Sequence, residues 1–276
     1  SIGMIVFGYF LLQISDDIGT APYAAMIPEL VDPEKRGMSS GVMGGLQQIS
    51  QIVAALIALA LKANPMQIWI AMAAVNVLGM VIVISVVGRA GMVNVEKNES
   101  AGSLVLSWLA PWKIPDFRWV WFTRFLNSAA LSPIMSFALY YLQKNIGLTK
   151  DEAGSKQLII AVLLSLIAGI SAFATGGLAD KWGRKAVVYR SGFVMFTGVL
   201  IYAFVPNMSA VWLAVAIFGM GYGAYIGADW ALASDIMPNK EDFARDMGMW
   251  SMSVPLGQAA TGWLFGWIVQ VINAKD

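Results

Sequence analysis

Two adjacent carboxylates, Asp16 and Asp17, interrupt an otherwise apolar run near the start of this 276-residue chain. They stand about 12 residues before Glu29, roughly 18 Å along a helix, which places them near the middle of a membrane segment. An ionisable group at that depth is costly, and by default it marks a functional site that could exchange protons. Neighbouring residues differ by about 100° around a helix, so one carboxylate is expected to face an internal cavity and the other a neighbouring helix. The alternative is a structural pair, hydrogen-bonded to polar groups on adjacent helices. Asp229 is a third such carboxylate; its alternative role is an interfacial residue that reaches water. Gln13, Gln47, Gln48, Gln51, Asn127, Tyr140, Tyr222, Trp230 and Gln258 add amides and aromatics to the same apolar segments. Such groups suit a neutral polyol such as a sugar, although for any one of them helix-to-helix packing is the plainer role.

Other chemistries are excluded by residue type. The chain holds no cysteine and no histidine, which removes disulfides, thiol nucleophiles, Cys/His metal sites and Ser-His-Asp triads. Gly37-Met38-Ser39-Ser40-Gly41 matches a nucleophile pattern, but no histidine is present to activate a serine. Gly219, Gly221, Gly223 and Gly227 resemble a nucleotide loop, yet they lie within an apolar segment, where small residues serve close helix packing. A net charge of +1, with no long basic block, gives no footprint for nucleic acid.

The elements that must carry these groups are membrane helices. The chain is 58% hydrophobic and 13% charged, with a mean hydropathy of +0.67. A soluble domain carries about twice that share of charge. A helix needs about 20 apolar residues to cross the hydrocarbon. Eight stretches qualify, at roughly 3–28, 41–61, 67–88, 119–142, 157–178, 187–206, 210–233 and 248–272. They are too long, and lack the period-two alternation, for a membrane barrel. Thirteen of the 18 Lys and Arg residues fall on one side of this arrangement, and every Arg is among them. That side is therefore expected to be cytoplasmic, with loops at 32–40, 89–117, 179–186 and 235–247. The longest of these, with Trp108 and Trp112, is expected to lie partly along the interface.

Between the fifth and sixth stretches stands Gly176-Gly177-Leu178-Ala179-Asp180-Lys181-Trp182-Gly183-Arg184-Lys185. This resembles, at every defined position, the cytoplasmic loop motif G-x-x-x-D-[RK]-x-G-R-[RK] of the major facilitator superfamily. Small residues let the flanking helices approach, Gly183 permits the reversal, and Asp180 can meet the positive end of a neighbouring helix. In that family the motif lies between helices two and three and again between eight and nine. The chain is accordingly expected to run from helix four to helix eleven of twelve, and to be unable to transport by itself. The expected organisation is 1–88 as part of the N-terminal helical half, 89–117 as the loop between halves, and 118–276 as the C-terminal half. Pro22–Val31 with Arg36-Gly37, and Asp229–Pro238 with Ala244–Gly248, resemble the matching junctions of facilitators related to sugar:cation symporters. They also resemble each other, as two repeated halves would.

The resemblance implies an all-α polytopic membrane protein with a partial major facilitator fold of about eight transmembrane helices. It further implies a carrier, not an enzyme, that moves a small polar solute by alternating access. A sugar or related compound is favoured, coupled to protons or sodium, and no other cofactor or metal is implied. The lipid bilayer and the solute are the expected partners, and the chain is expected to act as a monomer in the cytoplasmic membrane. The stretch 41–61 lacks the Gly-Pro motif usual in drug:proton antiporters of the superfamily. An exporter of drugs or metabolites, or a non-transporting scaffold on the same fold, is the competing reading. Asp16, Asp17, Asp229, Gln13, Gln47, Gln51, Asn127, Tyr222 and Trp230 are the candidates for solute or ion. Gly177, Asp180, Gly183, Arg184, Lys185, Arg36, Arg245 and Asp246 form the candidate cytoplasmic gate. There the resemblance implies that Asp180 latches near the start of helix eleven, with Arg245 as its charge partner, and that Arg36 serves the motif's other copy.

Overall fold

The computed structural model describes residues 31–61, 64–87, 108–237 and 242–273, together with 3, 4, 7, 8, 11, 20, 25, 27, 29 and 30. The expected first span, with Gln13, Asp16 and Asp17, falls almost entirely outside the described residues. So does most of the long connection at 89–117.

Among the described residues the regular structure is helical throughout: α1 (Arg36–Ala60), α2 (Pro65–Val87), α3 (Pro115–Lys144), α4 (Lys150–Trp182), α5 (Arg184–Phe204), α6 (Met208–Ile236), α7 (Phe243–Ser251) and α8 (Ser253–Asn273). Among the described residues six segments are long and apolar enough to cross a membrane: Pro33–Ala60, Met66–Ser85, Pro115–Lys144, Lys150–Trp182, Arg184–Phe204 and Met208–Ile236. Many run past the ends of the apolar stretches, because their termini are built from polar signals. Thr149 and Glu152 form a capping box that starts α4 seven residues before its expected apolar run. Asn207 accepts the N–H of Ala210 at 2.8 Å and starts α6. Proline at the first position starts α3, inside the expected loop.

Three expected loops are shorter than the apolar runs suggested. α1 begins at Arg36 after a 3-10 turn at Pro33–Lys35, and α6 continues to Ile236. Between α4 and α5 only Gly183 intervenes, at φ +86°, a conformation that L side chains rarely adopt. The eighth expected span is divided: α7 ends at Ser251 and α8 starts at Ser253, with Pro255 in its first turn. Trp112 packs against the start of α3. Its ring packs 5.0 Å from that of Trp121 and 6.1 Å from that of Phe117.

Packing is centred on α6, whose face from Tyr225 to Ser234 is buried continuously. α6 lies against α4, α5 and α1, and α3 pairs with α8. Membrane helices gain little from the hydrophobic effect against each other, so close approach of backbones must supply the contact. The glycines make this approach possible. A Cβ on Gly41 of α1 would come 2.7 Å from the Cα of Gly176 on α4, and one on Gly176 would meet Gly41 equally closely. One on Gly227 of α6 would come 2.9 Å from the carbonyl of Ala172 on α4. The glycines of α6 thus serve helix packing. Ser40 is fully buried, with its hydroxyl 3.4 Å from the carbonyl oxygen of Ile226, so it serves the packing of α1 on α6. α2 is exposed along its length, with Trp69, Ile70 and Met80 all facing outward.

Candidate functional site

Two polar clusters stand out in this apolar frame. The first gathers at the basic face around the loop motif. α1 opens with Lys35 as its N-cap, and that side chain makes no capping bond. The first-turn N–H groups therefore need an acceptor from elsewhere. Asp180, near the end of α4, supplies it. Its Oδ1 accepts from the N–H of Gly37 at 2.9 Å, and its Oδ2 accepts from the N–H of Met38 at 3.0 Å. The carboxylate also lies at the positive end of the α1 dipole. Gly37 is required by sterics, since a Cβ there would come 2.6 Å from the carboxyl carbon of Asp180.

Arg184, the first residue of α5, then joins three elements. It lies 3.1 Å from Asp180, is ion-paired with Asp235 of α6, and donates at 2.5 Å to the carbonyl of Pro33 before α1. Arg36 is buried against the same group, 3.4 Å from both Asp235 and the carbonyl of Ser234.

This arrangement corrects several expectations. Asp180 meets the start of α1, the fifth helix in the expected count, and not the start of helix eleven. Gly41 and Gly176 bring α1 and α4 together at that end, so α1 presents the nearest unsatisfied N–H groups. Arg245 is not the charge partner of Asp180. It is turned to its own helix, 2.8 Å from Asp246 and 3.3 Å from Asp242, within reach on one or the next turn. Asp246 is buried in that local cluster. Lys185 stays exposed, 4.0 Å from Asp116. A Cβ on Gly177 would meet nothing, so Gly176 is the motif glycine at the contact. Asp235 is absent from the expected gate, although its junction resembles that of Glu29. That correspondence was the available signal.

The second cluster is buried between α3, α6 and α7. Asp229 is 2% exposed and ion-paired with Arg124 of α3. The guanidinium carbon of Arg124 lies 3.6 Å from the centre of the Trp250 ring and 5.3 Å from that of Trp230. Trp230 and Trp250 meet edge to face at 5.0 Å, and the indole N–H of Trp121 donates to the carbonyl of Met249 at 3.0 Å. A buried carboxylate demands such a partner, and the aromatic faces supply further stabilisation of the cation. As one of the arginines on the basic side, Arg124 is expected in a loop. It stands nine residues inside α3, and an arginine within an apolar stretch was itself the signal.

The remaining candidates do not converge on one point. Asn127, one turn beyond Arg124, has its amide nitrogen 3.8 Å from the sulfur of Met195. Tyr222 stacks on Phe218 at 6.1 Å, two turns before Asp229. Gln48 is buried against Gly169 at the α1–α4 contact, whereas Gln47 is half-buried and Gln51, Tyr140 and Gln258 are exposed. Among the described residues no group of His, Cys, Asp or Glu could hold a metal ion.

A helical membrane fold with a charge cluster on the loop motif defines a facilitator-type carrier architecture. The chain matches the Major Facilitator Superfamily over residues 1–242 and again over 120–274, and it belongs to that family of membrane transporters. It is 28% identical over 164 residues to the multi-drug resistance efflux pump PmrA of Streptococcus pneumoniae, covering 59% of this chain and 40% of the pump. It is 32% identical over 127 residues to the multidrug resistance protein MdtG of a Rahnella species, covering 45% and 30%. It is also 28% identical over 147 residues to the galactose-proton symporter of Escherichia coli, covering 49% and 29%. The matches thus span less than half the length of each of these relatives. No solved structure matches the chain.

Proposed function

We propose that the chain forms the greater part of a secondary transporter that moves a small polar solute by alternating access, a sugar or related compound being favoured. The observation that carries this reading is the cluster on the basic face. Asp180, Arg184, Arg36 and Asp235 tie α1 to α4, α5 and α6 through charge and backbone N–H groups. In the expected organisation α1 belongs to one half and the other three helices to the second. The cluster then acts as a latch that closes the cytoplasmic side and must open for the solute to leave there. Its groups range from buried Arg36 to exposed Asp235, so the cluster sits at the rim of the bundle, beyond the glycine-packed contacts deeper within it.

In this account the bound pair Arg124–Asp229 holds α3, α6 and α7 as one rigid body. Coupling to protons or sodium is assigned to carboxylates in the spans, Asp16, Asp17 and Asp229, and the amide and phenol of Asn127 and Tyr222 serve the solute. The carrier is no enzyme and works as a monomer. The galactose-proton symporter among the relatives supports a sugar, and the two multidrug proteins support the second reading, export of drugs.

The test is transport in proteoliposomes holding the complete carrier, with imposed proton and sodium gradients. Radiolabelled galactose and the cationic dye ethidium serve as probes. Gradient-dependent accumulation of galactose supports the first reading, and gradient-dependent dye export supports the second. Movement of neither, under any gradient, would remove the proposal.

A further inference from the structure

A lateral groove opens between α4 and α5 with α6 as its floor, and its lining holds none of the residues of the two clusters described above. It has a volume of about 290 Å³, and its walls include Ser171, Thr175, Leu178, Val194 and Met220. The polar atoms of this wall are already used. Ser171 donates to the carbonyl of Met220 at 2.6 Å, Thr175 to that of Ser171 at 2.6 Å, and Ser191 to that of Val188 at 2.8 Å. What the groove offers an occupant is therefore apolar surface, and a polar solute would find no free donor along its length.

The end of the groove at the basic face is different. Arg190 lines it, exposed, with its guanidinium 5.4 Å from the ring of Trp182, which is itself 56% exposed. Among the described residues Arg190 has no carboxylate partner, and neither has Lys181, exposed beside Trp182. An exposed tryptophan and cations at one depth mark the headgroup level of a bilayer. From Trp182 to Ser171 the groove runs eleven residues along α4, about 16 Å. That is close to half the hydrocarbon thickness, the depth of a single leaflet.

From this geometry we propose that the groove binds one anionic phospholipid of the leaflet at the basic face, its phosphate at Arg190 and Lys181 and an acyl chain along Ser171, Thr175 and Val194. Uncompensated positive charge selects an anionic headgroup over a zwitterionic one, and the closed hydroxyls leave an apolar track for the chain. Because the groove's lining shares no residue with the candidate solute groups, the site does not depend on which solute is carried.

Native mass spectrometry of the chain, released from micelles containing phosphatidylglycerol or phosphatidylcholine, tests this. One phosphatidylglycerol should be retained at least fivefold more than phosphatidylcholine. Arg190→Gln should remove the headgroup preference, Arg190→Lys should restore most of it, and Val194→Trp should block the groove and lower retention of either lipid. Lys150→Gln, at the opposite face, should change nothing. Equal retention of the two lipids by the unsubstituted chain would overturn the proposal. So would equal losses from Lys150→Gln and Arg190→Gln, which would show diffuse charge attraction only.

Discussion

The carboxylate of Asp180 accepts the N–H of Gly37 at 2.9 Å, so a residue at the end of α4 caps the first turn of α1 from 143 positions further along the chain. A local N-cap would make α1 self-sufficient. A cap supplied from another helix makes the start of α1 conditional on the position of α4, and this turns an ordinary helix end into a latch.

Removing the cap should open that face. A carboxylate at a helix N-terminus contributes about 1–2 kcal/mol. Asp180→Ala is expected to shift the closed population by a factor of about five to thirty. The chain has no native cysteine, so Ser40→Cys, fully buried beneath the latch, gives a clean reporter. Its maleimide reaction should speed up in Asp180→Ala and stay slow in Lys181→Ala. Equal rates in the two would separate Asp180 from closure.

The α1–α4 crossing should depend on which glycine is replaced. Gly41→Val or Gly176→Val places carbon atoms against the partner helix backbone and is expected to cost about 1–3 kcal/mol. Gly177→Ala, whose Cβ would meet nothing within 4 Å, should leave the melting temperature unchanged. A Gly177→Ala loss as large as that of Gly176→Val would contradict the packing described.

At the reversal between α4 and α5, the positive φ of Gly183 predicts strain for any L side chain. Gly183→Ala should cost about 1–3 kcal/mol, read from thermal unfolding in detergent. Gly192→Ala, in the middle of α5 with open space at its Cβ, is the comparison that should show no such loss.

The Arg124–Asp229 pair should behave as a unit. Arg124→Met leaves a buried carboxylate without its partner, an effect of about 3–5 kcal/mol, and Asp229→Leu strands the guanidinium similarly. The double substitution should cost clearly less than the two single ones combined. Additive losses would mean that the two groups do not interact in the folded protein.

How much of this was legible in the sequence follows from the physics of each feature. The helical membrane class was readable because lipid leaves the backbone no alternative to internal hydrogen bonds, and the long apolar runs record that demand. The helix ends were less readable: Thr149, Asn207 and Pro115 set them through polar or steric signals outside the apolar runs. The loop motif fixed the neighbourhood of Asp180 and Arg184, but its target was assigned to the wrong helix. Nothing in a linear pattern distinguishes the start of α1 from the start of α7. That choice is made by Gly41 and Gly176, whose lack of side chains brings α1 closest. Arg124 went unread because its charge was credited to topology, although its place among apolar residues carried the same message as that of Asp229.

The central claim, that the Asp180 cluster is a latch between two access states, is tested most directly by a distance across it. Spin labels on Glu34→Cys and Lys181→Cys, in the complete carrier in lipid nanodiscs, report the separation of α1 and α4 by pulsed electron resonance. The account predicts a short-distance population and a longer one, with the longer one growing in Asp180→Ala. A single distance, the same with and without Asp180 in a carrier that still transports, would contradict it.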